Sequence, residues 1–360
     1  MEWVQQIREP LGIVVLITPW NDPFLTPARK LAPALAAGNA VVIKPASETP
    51  LITLRFAEIL HEAGLVAGAL GTVTGRGSEI GDALTEDARI KAVSFTGSTP
   101  VGLDIQRRLA GTGVRVQTEM GGKNAMVVLN DADLDAAIAA IAAGSFAQAG
   151  QRCTATSRLI VQRGIAQELE ARLTAHIGGL RVGPGADHDV DLGPVVSASA
   201  KSTIEAHVAS AVATGAEVIA RTPLNERANI GHFVAPGLLR TPVDNPIWRD
   251  EVFGPVLSMT IIDDLDEAIA LVNDSAYGLS SAVFTSSLSS AHAFIDAVDT
   301  GQVSVNQPTT GWDVHHSFGG FKDSGYGRES GAQAIYDYTR PKTVWINTSD
   351  APIGNPFVMR

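Results

Sequence analysis

The first third of the chain alternates continuous apolar runs with longer amphipathic segments. Residues 11–18 (LGIVVLIT) are apolar almost throughout, a pattern typical of a strand buried on both faces. Further strands are predicted at 39–45, 70–75, 90–97 and 114–122. Helices are predicted between them at 27–38, 51–64, 77–86 and 99–111. Strands that alternate with helices predict a parallel, doubly wound sheet, which binds its ligands at the carboxyl ends of its strands.

A second series of strands and helices begins near residue 123. Apolar runs predict strands at 124–130, 157–162 and 302–308. Apolar residues at helical spacing predict helices at 133–150, 166–180, 267–274 and 291–298. Residues 342–347 (KTVWIN) form one more strand-like run, and a strand without a neighbour in sequence is expected to pair with a distant element or another subunit. At about 150 residues per domain, the chain of 360 residues corresponds to about two domains.

Charge and composition exclude several classes of protein. The net charge is −11, from 27 basic and 38 acidic residues, which argues against a general surface for nucleic acid or anionic membrane because both require a basic patch. No apolar run reaches the ~18 residues of a membrane helix, and the N-terminus has no charged-then-apolar signal pattern. A single cysteine forms no internal disulfide, so a reducing compartment is predicted, with the cytoplasm as the default.

Two glycine-rich turns are candidates for binding a nucleotide. TGRGSEIG spaces Gly75, Gly77 and Gly81 one residue too far apart for the G-x-G-x-x-G fingerprint. The turn FTGSTPVG, which contains Gly97, follows a predicted strand, and Ser98 or the threonine after it is placed to cap the next helix. The amides and the dipole of that helix end favour a pyrophosphate, with plain turn chemistry as the alternative interpretation.

Lys44 ends the predicted strand in VIKPASETP. A lone strand-end lysine is usually only solvated, but beside a nucleotide its ammonium can bond the adenine ribose or a 2′-phosphate. Ser47 lies three residues on, where a carboxylate would repel that phosphate and a hydroxyl would not.

Cys153, in the stretch AQAGQRCTATS, is the only cysteine in the chain. A buried inert thiol is the commoner role for a random cysteine. The surrounding sequence favours a second interpretation, in which the thiol is a covalent catalyst.

Seven motifs of the chain, taken in order, resemble the aldehyde dehydrogenase superfamily. They are ITPWNDP, AGNAVVIKPASETP, SFTGSTPVG, TEMGGKN, AGQRCTA, DEVFGP and FGGFKDSGYGRESG, and they cover nearly the whole chain. The resemblance implies an α/β fold with a doubly wound, Rossmann-like cofactor domain, a second α/β catalytic domain and a short oligomerisation strand pair. Within the superfamily the motifs look most like the α-ketoglutaric semialdehyde and succinic semialdehyde dehydrogenases.

The resemblance also implies roles by position. Cys153 matches the nucleophile, Glu119 the general base and Asn21 the side-chain amide of the oxyanion hole. The residues it places at the cofactor are Lys44, Ser47, Gly77, Gly97, Ser98, Glu251, Phe253 and Trp20.

These residue types suit the oxidation of an aldehyde with NAD(P). A free thiol has a pKa near 8.5, so only a few per cent is thiolate at neutral pH, and Glu119 would take its proton directly or through water. The thiolate would attack the aldehyde to give a thiohemiacetal, whose oxyanion would be held by the Asn21 amide and the Cys153 N–H. Hydride transfer to the nicotinamide would leave a thioester, which water activated by Glu119 would hydrolyse.

Arg29 lies eight residues after Asn21 and bears on the substrate. Many relatives that oxidise apolar aldehydes resemble one another in having an aromatic side chain there, whereas those that oxidise succinic semialdehyde look similar to this chain. An arginine there can bind a carboxylate bidentately; a helix-surface arginine is the alternative. Residues 306–327 resemble the α-ketoglutaric semialdehyde dehydrogenases, so an ω-oxo acid is predicted, 2,5-dioxopentanoate first and succinic semialdehyde second.

Asp22 complicates this prediction. Its carboxylate would either pair with Arg29 and weaken the hold on an anion, or select a substrate with a cationic or hydroxylated end. Trp312 is expected to line the same mouth as Asp313 and two adjacent histidines. Adjacent residues rarely chelate one ion, so no metal site is predicted.

Ser47 also bears on the cofactor. It stands where NAD-preferring relatives commonly have glutamate, and NADP-using succinic semialdehyde enzymes resemble this chain at KPAS. NADP is therefore predicted, with NAD as the alternative.

The chain begins almost at the PWN motif, whereas members of the superfamily carry a long N-terminal segment first. We therefore expect a remnant of the oligomerisation hairpin at 1–10 and an N-terminally incomplete cofactor domain at 11–121. The catalytic domain is predicted at 122–323, a return segment at 324–341 and an oligomerisation strand and tail at 342–360, in a homodimer or homotetramer. Three hypotheses stay open: an active semialdehyde dehydrogenase, a catalytically idle homologue that serves as a binding or structural subunit, and a cysteine hydrolase without nucleotide.

Overall fold

A computed structural model describes residues 2–348 of the chain. Its strands are β1 (Glu2–Pro10), β2 (Ile13–Ile17), β3 (Ala40–Lys44), β4 (Leu70–Thr72), β5 (Ile90–Thr96), β6 (Arg115–Glu119), β7 (Asn124–Val128), β8 (Thr156–Gln162), β9 (Glu217–Arg221), β10 (Gly237–Arg240), β11 (Val256–Ile262), β12 (Tyr277–Gly278), β13 (Ser280–Phe284), β14 (Gln302–Val305), β15 (Phe321–Lys322), β16 (Gly325–Tyr326) and β17 (Thr339–Asn347). Its helices are α1 (Leu25–Ala36), α2 (Pro50–Glu62), α3 (Gly77–Thr85), α4 (Thr99–Leu109), α5 (Leu134–Phe146), α6 (Arg163–Gly179), α7 (Ala198–Ala213), α8 (Pro246–Arg249), α9 (Leu265–Asn273), α10 (Leu288–Ala297) and α11 (Ala334–Asp337). Every strand and helix predicted from the sequence is present, and most have bounds close to those predicted.

The first sheet has six strands in the order β16-β6-β5-β2-β3-β4. All neighbours are parallel except the edge pair β16 and β6. Side chains alternate along β2, so Val14 and Leu16 pack on one face with α1, while Val15 packs on the other with Ile105 of α4. Helices thus cover both faces, and the predicted doubly wound sheet is confirmed.

The second sheet has seven strands in the order β14-β13-β7-β8-β11-β10-β9, parallel except for the edge strand β9. Its β7 is buried on both faces: Met126 and Val128 join one apolar cluster, and Ala125 and Val127 join another. Because β6 ends at Glu119 and β7 begins five residues later, the carboxyl edge of the first sheet faces the amino edge of the second. Most of the predicted site residues lie on this boundary.

The two ends of the described chain form a separate two-stranded ribbon. β1 and β17 run antiparallel from the pair Glu2 and Asn347 to the pair Pro10 and Thr339, and neither strand joins a larger sheet. Trp3 and Trp345 are exposed on it, at 55% and 73%. The predicted strand pair is thereby confirmed.

One helix bound differs clearly from the prediction, and several elements were missed: the helices α7 and α8 and the sheet strands β9, β10, β11 and β13. The segment predicted as a helix over 133–150 is helical only to Phe146, because Gln148 and Ala149 adopt left-handed backbone angles. The missed strands β11 and β13 carry serine and threonine within their runs, which hides the apolar signal. None of the helices in the described part of the chain combines the length and apolar character that crossing a membrane would need.

Candidate active site

Cys153 lies in a tight turn just before β8. The Ala155 N–H donates to the Arg152 carbonyl (3.0 Å) and closes the turn, with the cysteine at its second position. Residues 148–150 lead into it with φ values of 53°, 54° and 70°. Left-handed backbone costs a non-glycine residue about 1–2 kcal/mol, so the two residues before the glycine keep this conformation only because their surroundings impose it.

Gln151 imposes much of that conformation. Its side-chain N–H donates to the Gln148 carbonyl (3.0 Å), and its Oε1 accepts from the Val196 N–H (2.8 Å). Its own carbonyl accepts from the Asn21 side chain (3.0 Å). The turn that carries the thiol is therefore tied both to the first sheet and to the segment before α7.

Two N–H groups beside the thiol are available to an oxyanion. The Asn21 amide carries two N–H bonds, and only one of them donates to the Gln151 carbonyl. Within residues 2–348, no backbone acceptor takes the Cys153 N–H. These are the two donors that the resemblance implies for the oxyanion hole.

The Cys153 thiol holds its proton at rest. Burial raises its pKa to about 12 against the lowering effect of Arg29, and the carboxylates of Glu251, Glu119 and Asp22 contribute to the rise. A thiol in this state becomes a nucleophile only when a base removes the proton as the new bond forms.

Glu119 ends β6 with its carboxyl group buried. Its Oε1 accepts from the Gln117 side chain (3.0 Å), and its Oε2 has no hydrogen-bond partner in the described residues. Glycines give it room, since a Cβ on Gly319 would lie 2.7 Å from Oε1 and one on Gly325 would lie 3.5 Å from Oε2. Burial, and next the charge of Glu329, raise the pKa of Glu119 well above the usual range. Such a carboxyl is protonated up to a higher pH than an ordinary glutamate.

Gln117 connects Glu119 to a buried lysine. Its Oε1 accepts from the Ser94 hydroxyl (2.5 Å) and from Lys30 Nζ (3.1 Å). Lys30 also donates to Ser94 (2.7 Å) and is fully buried. The sequence analysis assigned no role to Gln117 or Lys30.

Glu329 is the counter-ion of this cluster. It pairs with Lys30 (2.9 Å) through one oxygen and with Arg29 (3.0 Å) through the other. Burial opposes ionisation of Glu329, but the two cations outweigh it and lower its pKa. Of the two alternatives given for Asp22, the pair with Arg29 is not found, because Glu329, buried against α1, pairs with that guanidinium instead.

The residues predicted to hold the nicotinamide end of a cofactor lie together. The Trp20 and Phe253 rings meet edge to face with centroids 5.6 Å apart. Glu251 Oε1 accepts from the Gly122 N–H (2.9 Å). Burial raises the pKa of Glu251 to about 7, although the Gly122 N–H and Lys123 lower it.

Lys44 ends β3, Ser47 follows it by three residues, and Gly77 begins α3 after β4. Lys44 Nζ donates to the Pro45 carbonyl (3.1 Å), and burial lowers the pKa of this lysine. Ser47 is exposed, and its hydroxyl donates to the Gly75 carbonyl (3.4 Å). Gly77 begins α3, with nothing within 4 Å of a Cβ built on it. A lysine, a hydroxyl and an open helix start suit a nucleotide ribose or its phosphate.

Gly97 and Ser98 form the turn from β5 into α4. The Gly97 N–H donates to the Glu119 carbonyl (3.1 Å), which ties this turn to the predicted base. The prediction that Ser98 or Thr99 caps α4 is wrong: the Ser98 hydroxyl makes no capping bond, and the Thr99 hydroxyl accepts from the Gly121 N–H (3.2 Å). The first amides of α4 therefore have no side-chain cap, which fits a pyrophosphate.

The residues predicted to contact the substrate lie around Arg29. Its guanidinium carbon is 5.6 Å from the centroid of the Trp312 ring and 4.9 Å from that of Phe318. Trp312 is 40% exposed and marks the solvent side of this group. Nearby, His315 pairs with Asp313 (3.0 Å), and no group of three or more metal-binding side chains occurs within residues 2–348.

Thr309 joins the loop that carries Trp312 to the cysteine turn. Its hydroxyl donates to the Thr154 carbonyl (2.7 Å) and lies 2.8 Å from the Thr156 hydroxyl. Sequence reasoning assigned no role to Thr309 or to the Lys30–Glu329 pair, which contact the predicted site residues or their neighbours. Glu329 stood inside a quoted motif, GYGRESG, but its partners lie about 300 positions earlier and leave no local signal.

Comparison with known proteins agrees with this geometry. The model of the aldehyde dehydrogenase family matches residues 2–344. The chain is 42% identical to the 2,5-dioxopentanoate dehydrogenase of Saccharolobus solfataricus and 44% identical to the alpha-ketoglutarate semialdehyde dehydrogenase of Haloferax volcanii, in each case over 344 residues that cover 94% of this chain and 71% of the relative.

A solved structure agrees equally well. The crystal structure of betaine aldehyde dehydrogenase from Staphylococcus aureus in complex with NAD+ matches 99% of this chain and 71% of its own, at 34% identity and a TM-score of 0.95. A family model that spans nearly all the described residues, relatives above 40% identity and this match in fold lead to one assignment. The chain belongs to the aldehyde dehydrogenase family and is an oxidoreductase that acts on the aldehyde group of its substrate.

Proposed function

We propose that this chain oxidises an ω-oxo carboxylic acid to a dicarboxylic acid, with 2,5-dioxopentanoate as the first substrate and succinic semialdehyde as the second. The observation that carries this proposal is the charge around Arg29. Arg29 and Lys30 share the single carboxylate of Glu329. Glu329 neutralises only one of these two cations, and the remaining positive charge of the pair favours a substrate with a carboxylate. The names of two relatives support the same substrate.

The cysteine turn supplies the proposed chemistry. Cys153 Sγ attacks the aldehyde carbon, Glu119 takes the thiol proton directly or through a water molecule, and the oxyanion accepts from the Asn21 amide and the Cys153 N–H. A nicotinamide held beside Trp20, Glu251 and Phe253 would supply the hydride acceptor for this carbon. Loss of the hydride leaves a thioester on Cys153. The proton that Glu119 took from the thiol passes to solvent, so Glu119 is free to take a proton from the attacking water. The C–S bond then breaks, the sulfur takes this proton, and the acid leaves.

For the cofactor we propose NADP in preference to NAD. Ser47 is exposed beside Gly75, close to the start of α3, and contributes no negative charge. Lys44 lies at the end of the neighbouring strand β3 and supplies a cation. A 2′-phosphate therefore meets a lysine and a hydroxyl rather than a carboxylate at position 47.

The proposal includes self-association through the ribbon of β1 and β17. This ribbon stands apart from both sheets and exposes Trp3, Val4, Ile7 and Trp345. An isolated two-stranded ribbon is marginal in water, and exposed tryptophans next to unpaired strand edges favour a second copy of the chain. Light scattering of the wild type and of Trp345→Lys tests it, with a smaller particle expected for the variant.

Steady-state kinetics test the substrate. Reduced nicotinamide is followed by absorbance with 2,5-dioxopentanoate, succinic semialdehyde and an uncharged aldehyde of similar length, with NADP and then NAD. Arg29→Gln is expected to lower kcat/KM for the two oxo acids by about 10- to 150-fold, the loss of one charged hydrogen bond. The uncharged aldehyde is the control, because its loss of kcat/KM measures only the effect of breaking the Arg29–Glu329 ion pair. Equal losses on all three aldehydes would contradict the carboxylate-binding role.

The variant Cys153→Ala distinguishes an active enzyme from a catalytically idle homologue. Activity that disappears in this variant establishes the thiol as the nucleophile. A folded wild type that binds NADP yet turns over none of the aldehydes would favour the idle homologue instead.

A further inference from the structure

Asn124, at the start of β7, is the second asparagine, after Asn21, whose side-chain amide contacts the cysteine turn. Its side chain is 2% exposed. Its Nδ2 donates to the carbonyl oxygens of Cys153 and Ala155, each at 2.8 Å. Its Oδ1 accepts from the Ser280 N–H at 3.0 Å, so the amide is itself held by β13.

The register of the strands explains why a side chain is needed at this point. β7 pairs with β8 at Asn124 and Thr156, but the next pair is Ala125 with Arg158, so β8 carries one extra residue. The chain before Thr156 bends out of the sheet into the cysteine turn. The Asn124 amide continues the hydrogen bonding past the end of the ladder, because it supplies donors to the carbonyls that precede Thr156.

Only one orientation of the amide satisfies these neighbours. Both hydrogens of Nδ2 face carbonyl oxygens, and a flipped amide would set its oxygen against two acceptors while its NH2 faced the Ser280 N–H. Close approach is possible because Gly122 has no side chain: a Cβ there would lie 2.5 Å from the Cys153 carbonyl oxygen. The cysteine turn therefore packs closely against β7, and the Asn124 amide fixes its orientation by hydrogen bonds.

We infer that Asn124 is a positioning residue for the Cys153 nucleophile. The Cys153 carbonyl defines the peptide plane that follows the thiol, and the Ala155 carbonyl defines the far end of the turn. With both held, the direction of Sγ and of the Cys153 N–H is set before the aldehyde binds. The inference rests on the proposed role of Cys153 as the nucleophile.

The test compares Asn124→Asp with a matched variant, Asn245→Asp. Aspartate at 124 keeps the acceptor for the Ser280 N–H but sets an oxygen against two carbonyls. Asn245 is also 2% exposed, its Nδ2 donates to the Ala211 carbonyl (3.0 Å), and its Oδ1 accepts from the Ile247 N–H (3.1 Å). It lies at the start of α8 rather than at the cysteine turn, so its replacement removes equivalent bonds away from the thiol.

The measurements are kcat and KM for 2,5-dioxopentanoate, the dissociation constant of NADP, unfolding in urea, and the rate at which iodoacetamide alkylates Cys153 in the protein alone. Asn124→Asp is expected to lower kcat about a hundredfold, the effect of an ångström's misplacement, and to leave NADP binding unchanged. Alkylation is expected to slow about tenfold, as one unit's rise in the thiol pKa would cause. Asn245→Asp is expected to change stability alone.

A second variant keeps the inference testable if Asn124→Asp does not fold. Asn124→Ser retains one donor, and is expected to lose about tenfold in kcat, between the wild type and the aspartate variant. Wild-type kcat and alkylation in the folded variant, or an equal loss of both in Asn245→Asp, would overturn the inference. Full activity in Cys153→Ala would instead overturn the proposed function.

Discussion

Gly150 is the position at which a single methyl group should disable the site without unfolding the protein. It has a φ of 70° and lies against the loop that carries Phe253. A Cβ built on it would overlap the carbonyl group of Gly254 and lie 2.9 Å from the nitrogen of Pro255. All of these are backbone atoms, so no side-chain rotation relieves the overlap.

The size of the effect follows from that geometry. Non-bonded carbon atoms reach their energy minimum at about 3.5–4.0 Å, so Gly150→Ala must separate the two loops by about 1 Å. Cys153 is three residues away, and a displacement of about 1 Å costs about a hundredfold in rate. The left-handed φ adds about 1–2 kcal/mol of lost stability.

Gly111→Ala is the matched control. Gly111 has a φ of 80°, and nothing lies within 4 Å of its Cβ position. Gly111→Ala should therefore lose only the stability that the left-handed φ costs, and Gly150→Ala should lose more because of the overlap. Only Gly150→Ala should lose kcat with 2,5-dioxopentanoate. If Gly150→Ala keeps a kcat within about threefold of the wild type, close contact between these loops does not place the thiol, and the reasoning is refuted.

Three further changes test the surroundings of the site. The folded-state pKa of Glu119 is raised, so this residue contributes less stability as the pH rises above the ordinary glutamate pKa. In urea unfolding, the stability of Glu119→Gln relative to the wild type should therefore increase from about pH 4 to pH 7. A difference that stays constant with pH would contradict the raised pKa. Ser47→Glu should weaken NADP binding about fivefold or more by charge repulsion and leave NAD binding unchanged. Fluorescence titration measures both affinities, with Ser47→Gln as the control. Equal effects on both nucleotides would refute the proposed phosphate site. Thr309→Val removes a buried hydroxyl that bonds the Thr154 carbonyl, and should cost about 1–3 kcal/mol of unfolding free energy; an unchanged value would show that this bond adds nothing.

The sequence predicted the fold well because each signal was local. An apolar run such as 11–18 needs no distant partner to be identified as a buried strand, and glycines such as Gly38 end helices through their own backbone freedom. The predicted end of α5 was wrong for the opposite reason, because its actual end at Phe146 depends on distant contacts. Gln148 and Ala149 have no intrinsic preference for left-handed angles, and contacts made by Gln151 with Val196 and Asn21 override the helical pattern.

The site residues could be predicted from sequence motifs, whereas their hydrogen-bond and ion-pair partners could be identified only from the folded structure. Arg29 is visible in the sequence, but its neutralisation by Glu329 depends on a segment 300 residues later that packs on α1. Asn124 is an ordinary residue of TEMGGKN until the extra residue of β8 leaves carbonyls for it to bind. Such roles depend on pairing register, which no single segment encodes.

The pairing of β1 with β17 bears on the order in which the molecule assembles. The ladder joins Glu2 to Asn347, and β16 and Glu329 also reach the first sheet from the last part of the described chain. During synthesis at about 5–20 residues per second, the second sheet has all its strands before these contacts can form. Glu119 therefore lacks its neighbour β16, and Arg29 and Lys30 lack their counter-ion, until residues 325–329 have been synthesised. A nascent chain that stalls before this point would carry Cys153 together with a base that lacks β16 and two cations that lack their counter-ion.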